Sequence, residues 1–263
     1  TGPLGPRPTH RYRFPDAAAP SKSEPSQGER VMAKPEYPTG EGLWSRGSRE
    51  ESGYESVRLG TPYPEAVESF RGAIAGRDDF DPATLLVWGT MQATGVLNIL
   101  KDVEEQFGEA GQQVVRRALN RAGYEAMRNF IEDSIFPDES DDVTMLSFLL
   151  TGINTVIYAS LERPWITDEG RCEFDILWCP HQDRYTAFDC RVQRYFVEGM
   201  IEAVDDADLP PMTGWLEKLI PGGADCCHFI VETRADDGSE NPWHEYSDRL
   251  GERAFLKLRG VDG

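Results

Sequence analysis

Residues 172–179 read CEFDILWC, and the alternation of Phe174, Ile176 and Trp178 with Asp175, Leu177 and Cys179 has the period of a β-strand. Upstream the apolar residues recur at helical spacing, so the chain changes character here. Downstream, "CCHFIVET" at 226–233 is a second strand, whose period puts Cys226 with His228 on one face and Cys227 with Phe229 and Val231 on the other. Between them, 184–204 is a helix with two stripes. Tyr185, Phe188, Val192, Phe196, Gly199 and Ala203 form one, and Cys190, Val197, Ile201 and Val204 form another nearly opposite, so the helix is covered on both sides. The polar C-terminal end carries a final short strand, "AFLKL" at 254–258.

Working upstream, Asp81-Pro82 supplies an N-cap and a first-turn proline for an apolar helix that runs to Phe107 and stops at Gly108. From Glu109 to Asp133 a second helix repeats Val114, Ala118, Ala122, Ala126 and Phe130 every four residues, with Arg116, Arg117, Arg121 and Arg128 toward solvent. "VTMLSFLLTGINTVIYASL" at 143–161 has no charge and is long enough to cross a bilayer. Its internal Thr, Ser and Asn residues, and flanks without Lys/Arg clusters, make it a central core helix instead. The order predicts an α+β fold: a helical N-terminal half packed on a small antiparallel sheet with a covered helix, preceded by an extended N-terminal arm.

The arm is 1–60 and the single α+β domain is 61–263. Eight of the eighteen prolines fall in the first forty residues, where no helical or strand period exists. Residues 1–50 carry eight Lys/Arg against six Asp/Glu, so the remaining 213 hold 21 of net negative charge in a chain of net −19. A body this acidic repels phosphate backbones and anionic lipid, which argues against nucleic acid and membrane as partners. The near-neutral arm, with Tyr12, Phe14, Tyr37 and Trp44, suits the acidic surface of a second subunit, and the expectation is a homo-oligomer with exchanged arms. Five cysteines cannot all pair and no apolar signal segment is seen, so a reducing cytoplasm is the expected location.

Reactive side chains concentrate late in the chain. "WCPHQDRYTAFDC" at 178–190 and "CCH" at 226–228 hold four of the five cysteines and two of the four histidines. A thiolate nucleophile needs a neighbouring base or positive charge. Cys190 or Cys227 is therefore the candidate thiol, and His181 or His228 the proton carrier. Asp189, on the edge of an apolar stripe, is the orienting or acid group, either with a raised pKa or paired to Arg191 or Arg194. Arg191 or Arg194 suits a substrate carboxylate, and Asn154 is a candidate pocket-lining residue. A divalent metal held by Cys179, His181, Cys190, Cys226 and His228 is the competing reading, although the spacing lacks the paired Cys-x-x-Cys pattern of structural zinc. Buried cysteines acting as small apolar groups are the plain alternative to both. "NPWHEYSD" at 241–248 reads as a surface cap over a pocket.

"EEQFGEAGQQVVRRALNRAGYEAMRNF" at 104–130, the strand ending in Cys179-Pro180, the helix bearing Cys190 and the final "DCCHFIV" together resemble the L-2-amino-thiazoline-4-carboxylic acid hydrolase family over about 81–233. That resemblance implies an α+β fold and hydrolytic opening of a small ring containing sulfur and nitrogen. The C-terminal half is also similar to the small-molecule-binding domain named after 4-vinyl reductase, at Cys190, Gly199 and Cys227-His228-Phe229. This second resemblance implies a non-catalytic ligand sensor. The expectation is accordingly a hydrolase or lyase for a small polar organic molecule, with a pocket between the 143–161 helix and the 172–233 unit. A binding module is the alternative, and a scaffold subunit for a catalytic partner is the third possibility.

Overall fold

The computed structural model describes residues 57–260, apart from 82, 137–139, 208, 236 and 237. The proposed contacts of the N-terminal arm fall outside them. Among the described residues there are five α-helices and one four-stranded antiparallel sheet, an α+β fold. The helices are α1 Pro64–Ile74, α2 Ala83–Asp133, α3 Asp142–Thr151, α4 Arg191–Asp205 and α5 Pro242–Leu258. The strands are β1 Leu161–Ile166, β2 Cys172–Trp178, β3 Met212–Lys218 and β4 Cys227–Thr233, ordered β1-β2-β4-β3. The register of β2 on β4 sets Phe174 opposite Phe229 and Asp175 opposite His228. One row of the sheet thus carries rings on its inner face, and the next carries charge on its outer face.

α2 changes direction at Gly108, whose φ of 61° belongs to the left-handed region open to glycine. Beyond that kink the helix packs along α4, and the two backbones touch. A β-carbon on Gly123 would lie 2.0 Å from the carbonyl oxygen of Phe196, and one on Gly199 1.9 Å from that of Asn120. This reciprocal pair of glycines lets the helices approach without side chains between them, and two buried ionic groups flank the crossing. Arg116 grips Glu198 bidentately at 2.6 and 3.0 Å. Nearer the start of α2, Arg191 meets Glu104 at 2.6 Å, and Gln112 donates both to Glu104 and to the carbonyl of Gly251 in α5.

α3 lies against the sheet with Leu146, Phe148 and Leu149 fully buried, in keeping with a central core helix. It starts at Asp141, whose carboxylate accepts from the backbone of Thr144. It ends earlier than its composition suggests: residues Gly152–Ile157 form a π-helical segment, and the chain enters β1 at Leu161. Gly152 is pressed onto the Phe130 ring, where a β-carbon would lie 2.0 Å from Cζ.

Several local expectations need correction. α4 begins at Arg191, not at 184, because 179–190 is spent on two successive turns closed by bonds such as Tyr185 N to His181 O at 3.0 Å and Cys190 N to Thr186 O at 3.3 Å. "AFLKL" belongs to α5, not to a strand. The Asn241 side chain caps that helix and Pro242 opens it, and the buried residues Trp243, Ser247, Gly251 and Ala254 have helical spacing. Arg116 is not solvated, and Val114, placed in the apolar stripe, is exposed on the far side of α2. Just ahead of residue 61, Arg58 pairs with Ile135 and Gly60 donates to Ser134 Oγ at 2.8 Å.

Filling the α2–α4 contact is the direct test of this packing. Gly199→Ala or Gly123→Ala forces the two backbones apart, and each is expected to cost about 1–3 kcal/mol, the usual penalty of overpacking, read as a lower urea midpoint.

Candidate functional site

The sheet separates two groups of reactive residues. On its inner side an apolar cavity of about 150 Å³ lies between β2 and β4 below, α3 with its π-helical segment at one end, and α4 and Trp243 above. Phe174 and Ile176 of β2, and Cys227, Phe229 and Val231 of β4, form the floor. Leu150, Ile153, Asn154 and Tyr158 form one wall, and Gln193, Arg194, Val197 and Ile201 another. The corner 179–190 contributes Cys179, His181 and Cys190. Strand parity would turn Cys179 away from Phe174, but β2 ends at Trp178 and the following turn brings the thiol to the cavity.

Arg194 is the one cation on this lining. It is 5% exposed, and its Nη1 is buried with no hydrogen-bond partner among the described residues. Burial pulls its pKa down, and the ionisable groups that act on it are Tyr246, Cys190, Cys227 and Tyr158, none of them a carboxylate. Aromatic faces hold it in place: its guanidinium lies 5.4 Å from the Trp243 ring centre and 4.8 Å from that of Tyr246. Trp243 in turn donates its indole N–H to the Arg194 carbonyl at 3.3 Å. In the tail read as a cap over the pocket, Trp243 is buried on the cavity lining, while Pro242, Glu245 and Asp248 are exposed.

His181 stacks on Tyr185 at 5.0 Å, and its Nδ1 is buried with no hydrogen-bond partner among the described residues. Burial lowers its pKa, so the ring is held neutral. Burial also raises the pKa of each cavity thiol, with Cys190 pushed up to about 12 and Cys179 and Cys227 shifted in the same direction. All three are protonated at neutral pH. Cys227 is engaged as an acceptor for the Ile220 N–H at 3.3 Å. Asn154 lines the cavity while its amide donates to Glu162 at 2.8 Å.

The remaining candidates lie elsewhere. His228 and Cys226 are on the outer face of the sheet. There Asp175 accepts hydrogen bonds from Cys226 and Arg163 and shares one of 2.9 Å with His228 Nδ1, and Trp165 stacks on the imidazole. Burial pushes the Asp175 carboxyl up, but those hydrogen bonds outweigh it and hold the pKa below the ordinary value. His228 cannot carry a proton for Cys190 or Cys227 from there. The five residues proposed as metal ligands are split by the same sheet, and among the described residues no group of three or more His, Cys, Asp or Glu is arranged to hold a metal ion.

Asp189 is paired outside the cavity, not poised as an acid. Burial raises its pKa, but Lys101 at 2.8 Å and the Thr186 N–H at 3.0 Å bring it below the ordinary value. Arg191 pairs with Glu104 and is not on the lining of this cavity, although its Nε and Nη1 are buried with no hydrogen-bond partner among the described residues. Sequence reading missed Tyr158, Gln193 and the wall role of Trp243. The helical spacing of Trp243, Ser247 and Gly251 was the available signal for the last.

The α+β domain with this cavity has a relative among known proteins. The chain is 43% identical over 218 residues, 81% of its own length and 95% of the other's, to an uncharacterized protein of Archaeoglobus fulgidus. It belongs to the same family as that archaeal protein. No protein-family model and no solved structure matches the chain.

Two titrations follow from this geometry. Because folding depresses the His181 pKa, the unfolded chain takes up a proton below pH 6.5 that the folded one refuses. The stability it contributes is present above pH 6.5 and is lost as pH falls through the folded value. His181→Phe is expected to flatten the fall in urea midpoint between pH 7 and pH 5. For Cys190, a shift from 9.0 to about 12 lowers the thiolate fraction at pH 8 roughly a thousandfold. Iodoacetamide labelling at that position, followed by mass spectrometry, is expected to be at least about a hundredfold slower in folded than in urea-unfolded protein.

Proposed function

We propose that this domain binds a small, ring-sized organic molecule that carries one anionic group, with Arg194 receiving the anion. The observation that carries this reading is a buried guanidinium without a carboxylate partner on the lining of an otherwise apolar cavity. Buried charges are ordinarily paired, because an unpaired one keeps its full desolvation cost. A ligand carboxylate supplies the missing partner through two parallel N–H to O bonds. The volume sets the scale of the rest: an apolar cavity of ~150 Å³ accommodates a benzene ring. The π-helical segment supports the same reading, since such irregular turns recur at functional sites.

A second reading is hydrolysis in the same cavity, as the resemblance to the 2-amino-thiazoline-4-carboxylate hydrolases suggests. What favours it is His181, neutral and with Nδ1 uncommitted, which suits it to accept a proton from an attacking water. The protonated thiols weigh against a cysteine nucleophile, so in this form Cys190 shapes the cavity instead of attacking. A five-membered ring bearing a carboxylate satisfies both readings, which differ in whether the bound ring is opened.

Calorimetric titration with benzoate and with 2-aminothiazoline-4-carboxylate, for wild type and Arg194→Gln, separates them from failure. Binding that weakens about tenfold to a hundredfold in the variant is expected, the effect of losing a charge-assisted bond of about 1.5–3 kcal/mol. Equal affinity in the two proteins would overturn the role of Arg194. Loss of the thiazoline on chromatography, abolished in His181→Gln, would establish the hydrolytic reading, and binding without loss would leave the domain a receptor.

A further inference from the structure

The first half of α2 presents apolar residues on two opposite faces. At 100° per residue, Ala93, Leu97, Leu100 and Glu104 form the inner face, packed on Tyr185, Val192 and Tyr195. Trp88, Met91, Gly95 and Ile99 repeat at the same helical interval on the outer face. That face is bare: Val87, Trp88, Met91 and Ile99 are 62%, 60%, 56% and 57% exposed, and an added β-carbon at Gly95 would meet nothing within 4 Å. Residues 83–100 contain no charged side chain, although the body that bears them is strongly acidic.

We propose that this outer face is the contact between two copies of the chain, packed α2 on α2 through Trp88, Met91, Gly95 and Ile99. Area is the first argument. With Leu85 and Val87 on its flanks, the exposed parts of these side chains come to roughly 550 Å², at the top of the range for the largest patch of an ordinary monomer and about two thirds of the ~800 Å² each partner gives to a stable interface. Gly95 is the second, because a small residue in mid-face lets a second helix approach as α4 approaches α2 at Gly123.

A bilayer is the competing occupant, since α2 contains one stretch long and apolar enough to span a membrane, of which 11% is buried. The inner face decides against it. Ala93, Val96, Leu97 and Leu100 are already packed against α4, so inserting the run would carry Arg191, Arg194 and Glu198 of that helix toward lipid. Only residues 83–92 stand clear, about 15 Å of helix against the ~30 Å hydrocarbon core. The contact differs from the arm-mediated one expected from sequence and is independent of the ligand reading.

Light scattering on the full chain without detergent, from 1 to 100 µM, tests this. The expected result is a mass of twice 29.5 kDa. In Trp88→Glu/Met91→Glu the dimer should weaken at least a hundredfold, with circular dichroism unchanged. Hydrogen exchange of the wild type gives a readout that needs no variant: protection over 85–99 should rise with concentration. A monomeric wild type, a double variant that remains dimeric, or exchange at 85–99 that ignores concentration overturns the proposal. Wild type that floats with phosphatidylcholine vesicles as a monomer assigns the face to lipid and overturns it equally.

Discussion

The contact on which the architecture rests is the one between two backbones, where Gly123 of α2 and Gly199 of α4 each stand where a side chain cannot. Because the helices meet without intervening side chains, charged residues along them are brought within reach of each other. Glu104 and Arg191 find each other from 87 residues apart, and Arg116 and Glu198 from 82. Those ion pairs in turn fix the rotation of α4. Arg194, three residues on from Arg191 and four before Glu198, lies about 40–60° round the helix from both, at the border between the side that meets α2 and the side that lines the cavity.

The cavity and the outer face of the sheet illustrate two ways of handling a buried charge. Asp175 is surrounded by donors, and its ionised form is favoured despite burial. Arg194 has aromatic faces and a free N–H, and its ionised form is disfavoured. The first arrangement is complete within the chain, while the second is left with a bond to make. β4 lies between them, so that Cys226 and Cys227, adjacent in the chain, belong to different chemical environments.

Local periodicity made part of this legible. The alternation in 172–179 and 226–233 predicted two strands of an antiparallel sheet and the faces of Cys226 and Cys227, and the uncharged run from 143 marked a core helix. What local pattern could not give is the identity of distant partners. Nothing near Asp189 announces Lys101, and nothing near Arg191 announces Glu104, so both looked available for chemistry. The strand parity of Cys179 failed because a turn begins one residue earlier than the alternation suggests. α5 was missed because the Gly- and Asp-rich segment before it obscured the four-residue spacing of Trp243, Ser247 and Gly251. Gly199 looked like an ordinary member of a stripe and Gly123 stood in none, since a missing side chain announces a close neighbour only when the neighbour is seen.

Trp243 gives the pocket a place in time as well as in space. The sheet, α3 and α4 are complete once β4 has left the ribosome, but the wall that holds the Arg194 guanidinium is contributed by the first turn of the last helix. A nascent chain that has folded as far as Thr233 therefore has an open trough with a hydrated arginine, because domains begin to fold from the N-terminal side during synthesis. The desolvation of that arginine arises only when α5 closes over it.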